Sequence, residues 1–191
     1  HVAPAAAEVE GSDLPAAGEE VSAAGFDVSG WTPTSVPSTV LAALVRSGEV
    51  EDPYFGKNLE KIPTERFDQP WWYRTELVVD APLPSAAILA FEGINYRADV
   101  WWNGRKIGGR DELAGAFRMF ELDVSQHLTA GANTLAVLVH PPRPGEPTIG
   151  FVDWNPAPPD RSMGLWRPVE LRLAGDVALD DVFVRTDVDL E

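Results

Sequence analysis

Three histidines, seven tryptophans and no cysteine bound the chemistry open to this acidic chain of 191 residues. His1, His127 and His140 are too dispersed in sequence to suggest a metal centre or a catalytic triad. Without cysteine, neither a disulfide framework nor a thiolate metal site can form. Gly108-Gly109-Arg110 is a turn too short to cradle phosphate, and no P-loop, dinucleotide or zinc spacing is present. Trp71, Trp72, Trp101, Trp102 and Trp166 resemble a sugar-stacking set, because an indole offers an apolar face to a pyranose ring. Strand alternation would instead send one of each adjacent pair inward, which favours core and interdomain packing. Asp52, Pro53 and Asn58 are ordinary turn residues. With 15 basic against 30 acidic side chains, the net charge is −15. That charge repels nucleic acid and anionic membrane and attracts cations, and it also serves solubility.

The elements that must hold these residues change character along the chain. Residues 1–25 are rich in Ala, Glu and Gly with no hydrophobic period, and they read as a weakly ordered leader. Ser38 to Gly48 predicts one short helix. Ser38 is its N-cap, Val40, Leu41, Leu44 and Val45 its apolar face, and Gly48 its stop. From Trp71 the period becomes two. Strands are predicted over 71–80, 86–91, 96–103, 105–108, 117–124, 134–140, 165–173 and 182–186. Asn103-Gly104 between Trp102 and Arg105 specifies a type I′ hairpin turn, which needs positive φ twice. Short strands with one early helix describe an all-β, antiparallel β-sandwich. The intervening stretch 141–163 carries seven prolines and cannot pair as a strand. A long ordered loop of this kind is usually functional.

Four stretches, taken in order, resemble the first domain of glycoside hydrolase family 2. They are Pro70-Trp71-Trp72-Tyr73-Arg74-Thr75, Phe91-Glu92-Gly93-Ile94 leading to Ala98-Asp99-Val100-Trp101-Trp102-Asn103-Gly104, Phe120-Glu121-Leu122-Asp123-Val124 with Gly131-Ala132-Asn133-Thr134-Leu135, and Gly164-Leu165-Trp166-Arg167-Pro168-Val169. Asp52-Pro53-Tyr54-Phe55-Gly56-Lys57-Asn58 and Gly150-Phe151-Val152-Asp153-Trp154-Asn155-Pro156 are similar to the β-mannosidase and exo-β-D-glucosaminidase branch. Pro158-Pro159-Asp160 ahead of Met163-Gly164 leans toward the glucosaminidases.

The resemblance implies a jelly roll of the galactose-binding-domain type over 26–175. Residues 176–191 would then be a linker or first strand toward an immunoglobulin-like domain, followed by a TIM barrel. It implies a retaining hydrolase with two carboxyl groups about 5 to 5.5 Å apart. A barrel takes about 250 residues, so no catalytic residue is expected in this chain and the chain alone should be inactive. What the resemblance assigns here is part of the active-site rim. Asp153 would touch the sugar, either accepting two hydroxyls or pairing with an ammonium, and Trp154 would face the ring. Tyr54 and Asn58 would approach the same mouth. The sequence departs from the mannosidase pattern at Phe151, Val152 and Asn155, which leaves sugar preference open. The Trp166-Arg167 step is expected to order the end of the Pro-rich loop. No cofactor or metal is implied. The partners are the later domains and a chitosan- or mannoside-type oligosaccharide, in a secreted or extracellular setting with the cytoplasm left open. An independent carbohydrate-binding module and a purely structural domain are the competing readings.

Overall fold

The computed structural model describes residues 1–5, 14–149, 156–179 and 182–189. In chain order the elements are β1 (Val2–Pro4), α1 (Leu14–Val21), β2 (Ser38–Thr39), α2 (Val40–Arg46), β3 (Trp71–Val79), β4 (Ala86–Phe91), β5 (Arg97–Trp102), β6 (Arg105–Gly108), β7 (Phe120–Asp123), β8 (Gly131–His140), β9 (Gly164–Leu165) and β10 (Val169–Ala174). A five-stranded sheet runs β1-β3-β8-β5-β6 and a three-stranded sheet runs β10-β4-β7. A two-stranded ribbon joins β2 to β9. Every pairing is antiparallel. The result is the antiparallel β-sandwich that the period-2 pattern predicts.

Alternation builds the core. Trp71, Tyr73, Ala98, Val100, Trp102, Leu135, Val137 and Val139 line the inner face of the large sheet. Ala87, Leu89, Phe91 and Phe120 meet them from the small one. The β5–β6 hairpin turns at Asn103 and Gly104, with φ of +50° and +77°, as a type I′ turn requires. The four strand tryptophans divide between the two faces of the large sheet. Trp71 and Trp102 enter the sandwich core, while Trp72 and Trp101 point the other way. All four are nevertheless buried, because α1 lies across the second face. There Val21, Ala5, Ala136 and Leu138 enclose the two rings, whose centroids are 5.3 Å apart.

Several expectations need correction. The described residues within 1–25 are not simply a weak leader. Val2 is fully buried, β1 adds an edge to β3, and α1 is docked on tryptophan. Three residues are too few to show a period. An eight-residue helix with Gly18 at its middle has little helical propensity of its own, so packing holds it. There are thus two α-helices among the described residues, not one. The N-cap of α2 is Thr39 rather than Ser38: its hydroxyl oxygen accepts from the Ala42 N–H at 3.2 Å. Gly48 does end that helix, at φ +80°.

The stretch 165–173 is divided into β9 and β10, with Pro168 between them unable to donate to a ladder. The strand at 117–124 begins at Phe120, and the one at 134–140 begins at Gly131. No strand forms at 182–186. These residues are exposed, Phe183 at 87%, for no sheet edge among the described residues pairs with them.

Candidate functional site

The Pro-rich stretch leaves β8 at His140 and returns at β9. Of the residues assigned to the rim, Asp153 and Trp154 lie outside the described residues. The two ends of the stretch are described, and both are tied to the sandwich by named contacts.

On the outgoing leg, Arg143 and Glu146 close a tight turn. The Arg143 N–H donates to the Glu146 carboxylate at 2.8 Å, and the Glu146 N–H donates back to the Arg143 carbonyl. The same carboxylate pairs with Arg97 of β5, both side chains being largely buried. Burial and nearby Arg143 lower the pKa of Arg97. On the return leg, Arg161 donates to the Pro142 carbonyl at 3.0 Å and pairs with Asp68. One guanidinium therefore joins the return leg to the outgoing leg and to the turn before β3.

The backbone beneath that guanidinium is unusual. Arg161 and Ser162 are consecutive non-glycine residues at φ +50° and +56°. Left-handed backbone costs such residues roughly 1 kcal/mol or more each. Buried Asn95 supports the twist, its Nδ2 donating to the Arg161 and Ser162 carbonyls at 3.0 and 2.8 Å. Its Oδ1 has no partner among the described residues. Gly164 follows at φ +147°, where a Cβ would lie 2.5 Å from the Tyr73 hydroxyl and 2.6 Å from the Ser38 carbonyl. Only glycine fits between β2 and β3 at that point.

Asp160 ties the return leg to α2. Its carboxylate accepts from the Leu41 N–H at 2.8 Å and from the Ser162 N–H at 2.9 Å, and it also takes a hydrogen bond from Thr39. It thus satisfies a helix-terminal donor from 119 residues away. Burial raises its pKa, and these three donors only partly counter that. Tyr73 lies close by, its hydroxyl donating to the Ser38 carbonyl at 3.0 Å. Burial, then the charge of Asp160, push its phenol up. No residue in sequence reach signals the partnership of Asp160 with α2.

Asn58 and Tyr54 sit on another loop. The Asn58 amide is engaged locally: Nδ2 donates to the Asp52 carbonyl at 3.1 Å, and Oδ1 accepts from Lys61 at 3.0 Å. Asp52 accepts from the Tyr54 N–H at 2.9 Å, a side-chain turn. Tyr54 itself stands free at 95% exposure. Asn58 lines a shallow groove of about 220 Å³ with Glu49, Glu51, Lys61 and Arg66. The Arg66 hydrogen bond holds the Glu49 pKa below its ordinary value against a smaller opposing push from burial. Trp166 braces a different loop from the one expected. Its Nε1 donates to the Ala116 carbonyl at 2.9 Å, and the Phe117 ring meets it edge-on. Among the described residues no grouping of His, Asp and Glu has the form of a metal site.

A further polar cluster lies on the large sheet's outward face. Asp99 accepts from Lys106 at 2.7 Å and contacts His140 Nε2 at 2.8 Å. Burial alone would raise its pKa, but the hydrogen bonds from His140 and Lys106 outweigh burial and hold it well below the usual carboxylate range.

The profile described as "Glycosyl hydrolase 2 galactose-binding domain-like" matches residues 15–148. The exo-beta-D-glucosaminidase of Streptomyces avermitilis is 43% identical over 171 residues, covering 89% of this chain and 19% of that enzyme. The mannosylglycoprotein endo-beta-mannosidase of Lilium longiflorum is 32% identical over 179 residues, covering 80% and 18%. The crystal structure of the Amycolatopsis orientalis exo-chitosanase CsxA superposes with a TM-score of 0.87 at 37% identity, covering 98% of this chain and 21% of that one. The chain thus spans about a fifth of the length of these relatives.

Proposed function

The chain belongs to the galactose-binding-like domain family of glycosyl hydrolase 2, and from that premise we propose that it is the non-catalytic amino-terminal domain of a retaining β-glycosidase of exo-β-D-glucosaminidase type. It supports a catalytic barrel supplied by the same polypeptide and lends its Pro-rich loop to the active-site rim. The observation that carries this reading is the construction of the loop's two ends. Arg97–Glu146, Arg161–Asp68 and Asp160–Leu41 tie them to three separate parts of the sandwich. Such fixing is more than a passive connection needs, and it suits a loop that must meet substrate at one place. An exo-glucosaminidase that takes chitosan-type oligomers is favoured by the 43% identity to an enzyme of that name. β-Mannoside hydrolysis is the second reading, favoured by the 32% match to a mannosidase.

In the full-length enzyme, Asp153 supplies the carboxylate that pairs with the amino sugar, and Trp154 borders the ring. Tyr54 and Asn58 form the neighbouring edge, Tyr54 through its free side chain. Secretion of the enzyme belongs to the same proposal, and activity in the culture medium rather than the cell lysate tests it.

Two measurements test the whole reading. Purified chain alone should give no turnover of aryl β-D-glucosaminide above a buffer blank. In the full-length enzyme, Asp153→Ala should lower kcat/KM on a glucosamine oligomer by an amount equal to about 1.5–3 kcal/mol. Its unfolding midpoint should stay near that of the parent. An unchanged kcat/KM would leave the domain a purely structural support. Sugar affinity of the isolated chain would favour an independent carbohydrate-binding module.

A further inference from the structure

We propose that the loop 114–119, with Trp166 and Arg167, is the surface on which the catalytic domain of the same polypeptide seats. The proposal rests on the reading above that such a domain is part of the enzyme, and it names the face which that domain meets. Phe117 and Met119 are 65% and 74% exposed, yet the loop that carries them is not loose. Leu113, Ala116 and Phe120 around them are buried. The Gly115 N–H donates to the Tyr96 carbonyl at 2.9 Å, and the Ala98 N–H to the Leu113 carbonyl at 3.0 Å. Trp166 braces the loop through Nε1, which donates to the Ala116 carbonyl, and the Phe117 ring stands edge-on to its indole. None of these backbone contacts needs a large apolar side chain at 117 or 119.

The composition is that of a docking face. Phe, Trp, Met and Arg are enriched where protein surfaces bury one another. Arg118 and Arg167 flank the apolar pair, their guanidinium carbons 4.8 and 4.7 Å from the Phe120 and Trp166 ring centroids. Among the described residues neither pairs with a carboxylate, although the chain holds 30 acidic side chains against 15 basic. The face therefore suits a partner that offers an apolar hollow rimmed by carboxylates. Rings already fixed lose little freedom on docking.

Position selects the occupant. Register gathers the loops before β3, β5 and β7 and after β8 at one end of the sandwich: Trp71 pairs with Val139, Arg97 with His140, and Phe91 with Phe120. β10 runs away from that end, from Val169 beside Phe91 to Ala174 beside Ala86. Chain that follows β10 directly therefore starts at the far end, and a contact at the loop end must come from a more distant part of the polypeptide. This chain matches about a fifth of its relatives' length, so in them ample polypeptide remains to supply it.

Methionine chemistry tests this in the full-length enzyme, because the two methionines of this chain differ sharply: Met119 is 74% exposed, Met163 0%. Peroxide converts an accessible thioether to its sulfoxide, and peptide mapping by mass spectrometry reads each position. In the native enzyme Met119 should oxidise about tenfold or more slowly than in the urea-unfolded enzyme, as Met163 should. A photoreactive methionine analogue at position 119 should cross-link to residues beyond 191 of the same polypeptide. Phe117→Glu should open Met119 to peroxide while Met163 stays protected, the sign of an intact sandwich. If that variant does not fold, oxidation and cross-linking of the parent decide. Oxidation of native Met119 at the unfolded rate would overturn the proposal, as would protection that survives in folded Phe117→Glu. Cross-links into the Pro-rich stretch, or between two copies and lost on dilution, would also overturn it, since each names another cover. Turnover of an aryl β-D-glucosaminide is read alongside. An active enzyme with Met119 open loses only this interface, whereas a protected, cross-linked Met119 in an inactive enzyme keeps the interface and drops the glucosaminide reading.

Discussion

Asp99 and Asp160 are almost equally hidden, at 1% and 2% exposure, yet they sit in opposite electrical surroundings. Asp99 lies on the large sheet's outward face among Lys106, His140 and Arg110. Asp160 lies at the root of the Pro-rich loop, facing N–H and hydroxyl donors. Burial pushes both carboxyls toward the neutral form. Hydrogen bonds from His140 and from the Lys106 cation reverse that at Asp99, while dipolar donors do not overcome it at Asp160. The difference shows two ways of keeping a carboxylate inside a protein. One region anchors it with opposite charge beside an apolar cover. The other uses it as backbone glue where a loop meets a helix.

The largest effect should come from Asp99→Ala. It strips a partner from buried His140 and from Lys106, and it should cost about 3 kcal/mol in chemical denaturation. A loss below that from Asp160→Ala would break the contrast. Next is Gly18→Ala. A Cβ at position 18 would overlap the Trp101 indole, so α1 must lift from the sheet, at about 1–3 kcal/mol despite better helix propensity. A changed near-UV tryptophan spectrum should accompany it.

Asp160→Asn should cost about 1 kcal/mol, since one of two N–H donors then faces an amide NH₂. Its pH dependence should oppose that of Asp99→Asn. Asp99 is more acidic folded than unfolded, so its stabilisation is complete above about pH 4 and is lost as pH falls through the lower folded pKa. Asp160 is less acidic folded than unfolded, so it favours the native state most in acid and less as pH rises through its raised pKa. The cost of Asp99→Asn should therefore shrink below about pH 4, and that of Asp160→Asn should be greatest there. Parallel profiles would show that the two sites do not differ as described. The smallest effect belongs to Arg172→Ala. Arg172 is solvated and shared among Glu92, Glu121 and Glu170, and its loss should leave the midpoint unmoved.

The sequence by itself determined what local periodicity and turn chemistry can encode. Period-2 runs identified β3, β4, β5 and β6 nearly to the residue, Asn103-Gly104 specified its turn, and the apolar face of 40–45 identified α2. These signals are local, and a window of a few residues contains them. The ordered motifs also identified the family, because their spacing along the chain needs no coordinates. For the site, the sequence marked the Pro-rich stretch but gave no hint of Asn95 or Arg161 beneath it. Tertiary structure decided the rest. β1 and α1 are too short and too weak in propensity to stand without Trp72, Trp101 and β3 to receive them. The same cover buried the outward tryptophans that alternation alone would have left wet. Val182 to Thr186 is β-branched and aromatic like a strand yet pairs with none among the described residues, since composition favours extended backbone without naming a partner. Asp160 became the partner of α2 only because folding brought it beside Leu41, 119 residues away, and no local rule of capping extends across such a distance.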